Sequence, residues 1–115
     1  MSTMILVTFY LVFSEVPPSV YVDQEEMTAN AGETITIQCT ANGTPRAKIT
    51  WYKGQDKITT SRRIAVSSQG HLVINAVELK DGGYYTCLGN NTAGEDSVTI
   101  SIQVQSELRI FSLGI

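Results

Sequence analysis

From Val16 to Gln105 the sequence repeats one pattern: short runs with an apolar residue at every second position, each closed by turn-forming residues. Successive side chains of a strand point to opposite faces, so a period of two describes a strand with one dry face and one wet face. In Thr34–Cys39 the dry set is Ile35, Ile37 and Cys39, with Thr and Gln opposite. Ile49 aligns in the same way with Trp51, Ile64 with Val66, Leu72 with Ile74 and Tyr85 with Cys87. In Ser97–Val104 the aligned set is Val98, Ile100, Ile102 and Val104. Turn chemistry separates these runs at Asn42-Gly43, Lys53-Gly54, Gln69-Gly70, Asp81-Gly82-Gly83 and Ala93-Gly94. No stretch sustains a helical period, although a single helical turn fits Val77 to Asp81. One-faced strands need a cover, so the series predicts an all-β sandwich of two antiparallel sheets.

A chain of 115 residues fits one domain. A domain of that size buries only about two thirds of its unfolded surface, so its core is thin and one covalent staple matters. The two cysteines, Cys39 and Cys87, are too far apart for a CxxC redox motif; they either pair with each other or stay as two buried thiols. Net charge is −3, and the basic residues are scattered rather than gathered into the stripe that a phosphate backbone requires. Nucleic acid is therefore excluded as a partner class.

The stretch Leu79-x-Asp81-x-Gly83-x-Tyr85-x-Cys87, together with Cys39 and Trp51, resembles the immunoglobulin superfamily, specifically its I-set, with a Greek-key topology. The resemblance spans 17–105 and implies roles for individual residues. Cys39 and Cys87 correspond to the cysteines of strands B and F, bridged between the sheets. Trp51 corresponds to the strand C tryptophan packed on that bridge, and Tyr85 to the tyrosine of the corner motif. Leu79 and Asp81 join them as structural core residues. In related domains an arginine opening strand D pairs with the aspartate, which points to Arg63, with Arg62 as runner-up. Chain-entropy arithmetic gives such a bridge about 4 kcal/mol, against a total stability of about 5–15 kcal/mol.

Outside the domain, residues 1–14 carry the apolar run Met4–Phe13, about the length of a signal-peptide apolar region and too short for a membrane span. They read as a cleaved signal, although no Lys or Arg precedes the run, and a fragment start is the alternative. Residues 106–115 read as a tail or linker, and Pro17-Pro18 as a stiff entry of the kind that joins tandem domains. The chain as written has no segment that inserts directly into a bilayer. Two sequons, Asn42-Gly-Thr44 in the predicted B–C loop and Asn90-Asn-Thr92 at the end of strand F, are glycosylation candidates. With a bridge and a signal they favour a secreted or cell-surface location.

Catalytic chemistry has little to work with: the single histidine, His71, opens a predicted strand with no nucleophile and orienting group beside it in sequence. Glu25-Glu26 and Glu95-Asp96 lack the alternating spacing of a calcium loop. The expectation is no catalytic residue, no metal and no cofactor. Strand parity does offer a binding candidate: Tyr52, Tyr84, Thr86 and Leu88 point outward from strands C and F, and tyrosine is enriched at interfaces. Cross-strand pairs of the same kind also stabilise a sheet with no partner. The resemblance, which extends to modules of the hemicentin, peroxidasin and neural adhesion kind, implies a non-catalytic module for homophilic or heterophilic protein contact, beside neighbouring domains in a longer parent. A receptor or decoy ligand-binding domain, and a spacer of an intracellular muscle-type protein, are the alternatives.

Overall fold

The computed structural model describes residues 14–106; all of the expected signal but Ser14, and all of the expected tail but Ser106, lie outside the described residues. Ten strands and one 3₁₀ turn follow in order: β1 (Val16–Val22), β2 (Glu26–Asn30), β3 (Ile35–Ile37), β4 (Cys39–Thr44), β5 (Lys48–Lys53), β6 (Asp56–Lys57), β7 (Ile64–Val66), β8 (Leu72–Ile74), the 3₁₀ turn Leu79–Asp81, β9 (Gly83–Asn91) and β10 (Gly94–Gln105). One layer is a five-stranded sheet in the order β2-β10-β9-β5-β6. The other is built from β3-β8-β7 and from β1-β4. β3 and β4 are one strand interrupted at Gln38, whose N–H donates to Asp23 Oδ1 at 3.0 Å. Asp23 begins the bend that carries the chain from β1 in one layer to β2 in the other. Because the chain keeps its direction through that bend, β2 runs parallel to β10, the exception in an otherwise antiparallel architecture.

The period-two residues meet between the layers. Ile37, Cys39, Trp51, Leu72, Ile74, Val77, Tyr85, Cys87, Ile100 and Ile102 are almost wholly buried. Cys39 and Cys87 are bonded across the core with Cα atoms 6.7 Å apart. Trp51, wholly buried, donates from its indole Nε1 to the carbonyl of Gly70 at 2.8 Å. That bond explains the Ser67–Gly70 turn. Gly70 sits at φ +92, and a Cβ there would stand 2.5 Å from Ile49 Cδ1, so only glycine lets the carbonyl reach the indole. A buried N–H without such an acceptor would cost about 1–3 kcal/mol.

Several expectations need correction. Leu79 is not a core residue: it is 59% exposed at the start of the 3₁₀ turn, and Val77 occupies the interior in its place. A 3₁₀ turn brings round residues three apart, so directing Asp81 inward carries Glu78 to the same side and leaves Leu79 facing water. Asn42-Gly43 is not a turn. Both belong to β4, where Asn42 opposes Ser19 of β1, so the first sequon lies on a strand and not in the B–C loop. The chain reverses instead after Thr44, through a cis Thr44–Pro45 peptide. Pro17 and Pro18 form part of β1, at the register shift between Val16 and Ser19, where missing N–H groups do least harm to a ladder. β10 starts at Gly94 and runs through Gln105, which opposes Asn30. Asn91 sets that earlier start: its Oδ1 accepts from the N–H groups of Ala93 and Gly94 at 2.8 and 3.1 Å, closing a tight hairpin.

Candidate functional site

At the end of the sandwich where the 3₁₀ turn lies, Arg63 meets Asp81 through two parallel bonds, Nη1 to Oδ2 at 2.8 Å and Nη2 to Oδ1 at 3.1 Å. Arg63 Nε reaches Glu78 at 2.9 Å, while the N–H of Glu78 donates to Asp81 Oδ2 at 2.8 Å. Asp81 is 3% exposed, and burial pushes its carboxyl up. The Arg63 bonds and the Glu78 N–H outweigh that burial and hold it below the usual carboxylate range. The hydrogen bonds that Arg63 donates to Asp81 raise the guanidinium in turn. Tyr85 donates its hydroxyl to the carbonyl of Asp81 at 2.6 Å, and burial pushes its phenol up to about 12. Lys53 closes the group, with Nζ on the carbonyl of Lys80 at 2.6 Å and over the Tyr85 ring at 5.6 Å from its centroid. Fixed planar donors facing a buried carboxylate form a brace across this end of the sandwich.

The outer face of the five-stranded sheet differs in kind. Here β5, β9 and β10 lie in register: Thr50, Leu88 and Ser97 form one row, and Tyr52, Thr86 and Thr99 the next. Tyr84 opposes Ser101 below them and is 69% exposed. Thr86 and Thr99 share a hydroxyl hydrogen bond of 3.0 Å. The structure thus brings Tyr52, Tyr84, Thr86 and Leu88 onto one surface, backed by the wholly buried Trp51, Tyr85 and Cys87. Alternate residues of the same strands anchor the core, so this face is stiff; a rigid aromatic surface loses little side-chain entropy on contact.

Asn90 extends this face at the end of β9, and its Nδ2 donates to Glu95 Oε1 at 3.3 Å. Asn42 is exposed on β4 in the opposite layer, so the two sequons sit on opposite sides of the sandwich. His71 lies beside the Ser67 turn, where Ser67 Oγ accepts the backbone N–H groups of Gln69 and His71 at 3.3 and 3.1 Å. That hydroxyl closes a turn. Among the described residues no group of three or more His, Cys, Asp or Glu is placed to hold a metal ion, and no helix is long and apolar enough to cross a membrane.

Two residues with clear work had no sequence signal attached to them. Asp96, though exposed, accepts the N–H of Val20 at 2.8 Å, tying β10 to β1. Asn91 Nδ2 donates to the carbonyls of Val16 and Pro45 at 2.8 and 2.9 Å, clamping the entry of the chain onto the β9–β10 hairpin. The inward parity of Asp96 was visible beside Val98 and Ile100, but its partner lies on a strand far away in sequence.

A bridge between facing sheets, a buried tryptophan opposite one of its cysteines and a tyrosine tied back to the aspartate of the preceding turn occur together here, and the family model of the immunoglobulin I-set domain matches residues 18–104. The chain belongs to the immunoglobulin I-set family. Immunoglobulin superfamily member 10 of Mus musculus is 35% identical over 85 residues, covering 70% of this chain and 3% of that protein. Hemicentin-2 of Mus musculus is 32% identical over 96 residues, covering 83% of this chain and 2% of that protein. The chain thus spans a few per cent of the length of the curated relatives it matches. Among solved structures, neural ectodermal development factor IMP-L2 superposes with a TM-score of 0.75 at 25% identity, over 79% of this chain and 45% of the other. An I-set domain shared with adhesion-type proteins is a module by nature, and domains of this family are generally not enzymes.

Proposed function

We propose that this I-set domain is a non-catalytic, extracellular protein-binding module for adhesion or matrix recognition, acting through the outer face of β5, β9 and β10. The observation that carries the reading is the exposed Tyr84, with Tyr52, Thr86 and Leu88, on a sheet braced from behind by the Cys39–Cys87 bridge. Tyrosine gives large contact area for few rotatable bonds and keeps a polar handle for the rim of an interface. The bracing role of Arg63, Asp81 and Tyr85 supports a binding module over a catalytic one. The bridge supports an oxidising compartment, and the exposed positions of Asn42 and Asn90 support N-glycans there. Neighbouring domains of the same kind in a longer parent fit the small share of each relative that the chain spans.

The test presents the chain as a tetramer on matrix laid down by cultured cells. Tyr84→Glu with Leu88→Glu lowers binding at least tenfold, while Thr36→Glu on the opposite layer leaves it unchanged. Equal binding by all three forms overturns the assignment of this face. Mass spectrometry of secreted, non-reduced material tests the compartment: a bridge with sugar mass supports it. Free thiols in a cytosolic pool favour the intracellular spacer reading instead.

A further inference from the structure

The candidate face has a charge pattern that strand register makes explicit. Four rows cross it. Lys48, Asn90 and Glu95 form the first; Thr50, Leu88 and Ser97 the second; Lys57, Tyr52, Thr86 and Thr99 the third; Tyr84, Ser101 and Glu26 the fourth. Both lysines stand on the β5–β6 side, both glutamates on the β10–β2 side, and β9 between them carries no charge. Neither lysine side chain has a hydrogen bond or ion pair among the described residues, and Asp96, the other acid of β10, has the opposite strand parity and accepts the N–H of Val20.

We infer that the partner of this face includes a second copy of the same chain, docked with its strands parallel to the first about a two-fold axis running along β9. The inference rests on the binding face proposed above and names its occupant. A two-fold axis in the plane of contact exchanges the left and right halves of the face when it runs along the strands. Lys48 of one copy then stands over Glu95 of the other, and Glu95 over Lys48, in the same row. Lys57 comes within one row, about 7 Å along the strand, of Glu26. Leu88 meets Leu88 and Tyr84 meets Tyr84 on the axis, where apolar self-contact is free of charge. The alternative axis, across the strands, exchanges top and bottom; it sets lysine near lysine and glutamate near glutamate, which opposes docking. The charges therefore select the side-by-side orientation over the head-to-head one.

Four rows on five strands cover on the order of 500 Å² per copy from strand and residue spacing. That is below the ~800 Å² of a standard interface, so the pairing belongs to the weak, reversible class. Asn90 occupies the centre of the first row, on the axis itself. A sugar on its Nδ2 holds two copies apart, which makes occupancy of this sequon the control on self-pairing.

The experiment uses the 115-residue chain carrying Asn90→Gln, oxidised and followed by sedimentation equilibrium and by concentration-dependent amide shifts up to ~1 mM. The expected result is reversible dimerisation, with shifts confined to β2, β5, β6, β9 and β10. Lys48→Glu and Glu95→Lys each weaken it about tenfold, because the axis counts every change twice and each exchange replaces attraction with repulsion. The double variant Lys48→Glu/Glu95→Lys restores the starting affinity at unchanged net charge, and the Asn90-glycosylated chain stays monomeric. A strict monomer at ~1 mM, shifts on β1, β3 or β8, or a double variant no better than the singles each overturn the proposal. If the chain is monomeric but Tyr84→Glu with Leu88→Glu still abolishes matrix binding by the tetramer, self-pairing fails while the binding face stands. If that pair of substitutions leaves matrix binding intact, the face itself fails.

Discussion

Tyr84 and Tyr85 are adjacent in sequence and belong to different worlds. Tyr85 is wholly buried, its hydroxyl bonded to the carbonyl of Asp81 and its ring under the ammonium of Lys53. Tyr84 is 69% exposed, with neither the hydroxyl bond nor the cation contact of its neighbour. The first region is a closed brace in which Asp81, Arg63 and Tyr85 are tied to one another or to the backbone beside them. The second is a surface of hydroxyls, rings and a leucine with capacity left over. The difference separates what holds the domain from what the domain offers to others, and it predicts which substitutions harm folding and which harm only contact.

The largest effect belongs to the bridge behind both regions. Cys39→Ala with Cys87→Ala is expected to lower stability by about 4 kcal/mol, read by denaturant unfolding, a large share of the about 5–15 kcal/mol such a domain has. Next comes the brace. Asp81→Asn removes the charge that Arg63 grips bidentately and is expected to cost about 3 kcal/mol, reduced from the fully buried case because Arg63 is partly solvated. The same group sets the acid limb. A carboxyl held below its unfolded value near 4 contributes stability above that pH and loses it as pH falls through the folded value. Tyr85 sets the alkaline limb with the opposite sign. Its neutral form is favoured by the fold, with a phenol pushed up to about 12, so its contribution is intact below pH ~10 and is lost as pH rises from there towards 12. Tyr85→Phe removes that limb from an unfolding-versus-pH profile.

Smaller effects sharpen the contrast. Val77→Ala is expected to cost about 2–3 kcal/mol and Leu79→Ser under ~0.5 kcal/mol, since the first vacates the core and the second changes a residue already in water. Equal losses by thermal melting would return Leu79 to the interior. Tyr84→Glu is expected to shift stability by less than ~0.5 kcal/mol while removing contact, the mirror image of Tyr85→Phe. Of similar size but opposite sign is Ala76, a non-glycine residue at φ 48; Ala76→Asn is expected to gain about 0.5 kcal/mol, because asparagine tolerates that conformation better.

What was legible in the sequence was whatever depends on local periodicity or on a fixed set of spacings. The inward residues of β5, β8, β9 and β10 follow from period two. The outward parity that gathers Tyr52, Tyr84, Thr86 and Leu88 follows from the same rule. Misreadings came where a local signal competed with a distant partner. Asn42-Gly43 has the composition of a turn, yet β1 supplies a ladder that holds it within a strand. Leu79 has the composition of a core residue, yet the need to aim Asp81 at Arg63 turns it outward. β2 showed no clean alternation and drew its identity from parallel pairing with β10.

By itself, then, the sequence determined which side chains share a face, because the pleat of a strand alternates them whatever lies nearby. Which faces meet was decided only by tertiary structure: Trp51 finding the carbonyl of Gly70, Asp96 finding Val20, Asn91 clamping Val16 and Pro45. Those contacts join segments separated by long loops. Their partners are chosen by the competition among all buried polar groups for a finite set of acceptors, which no local window contains.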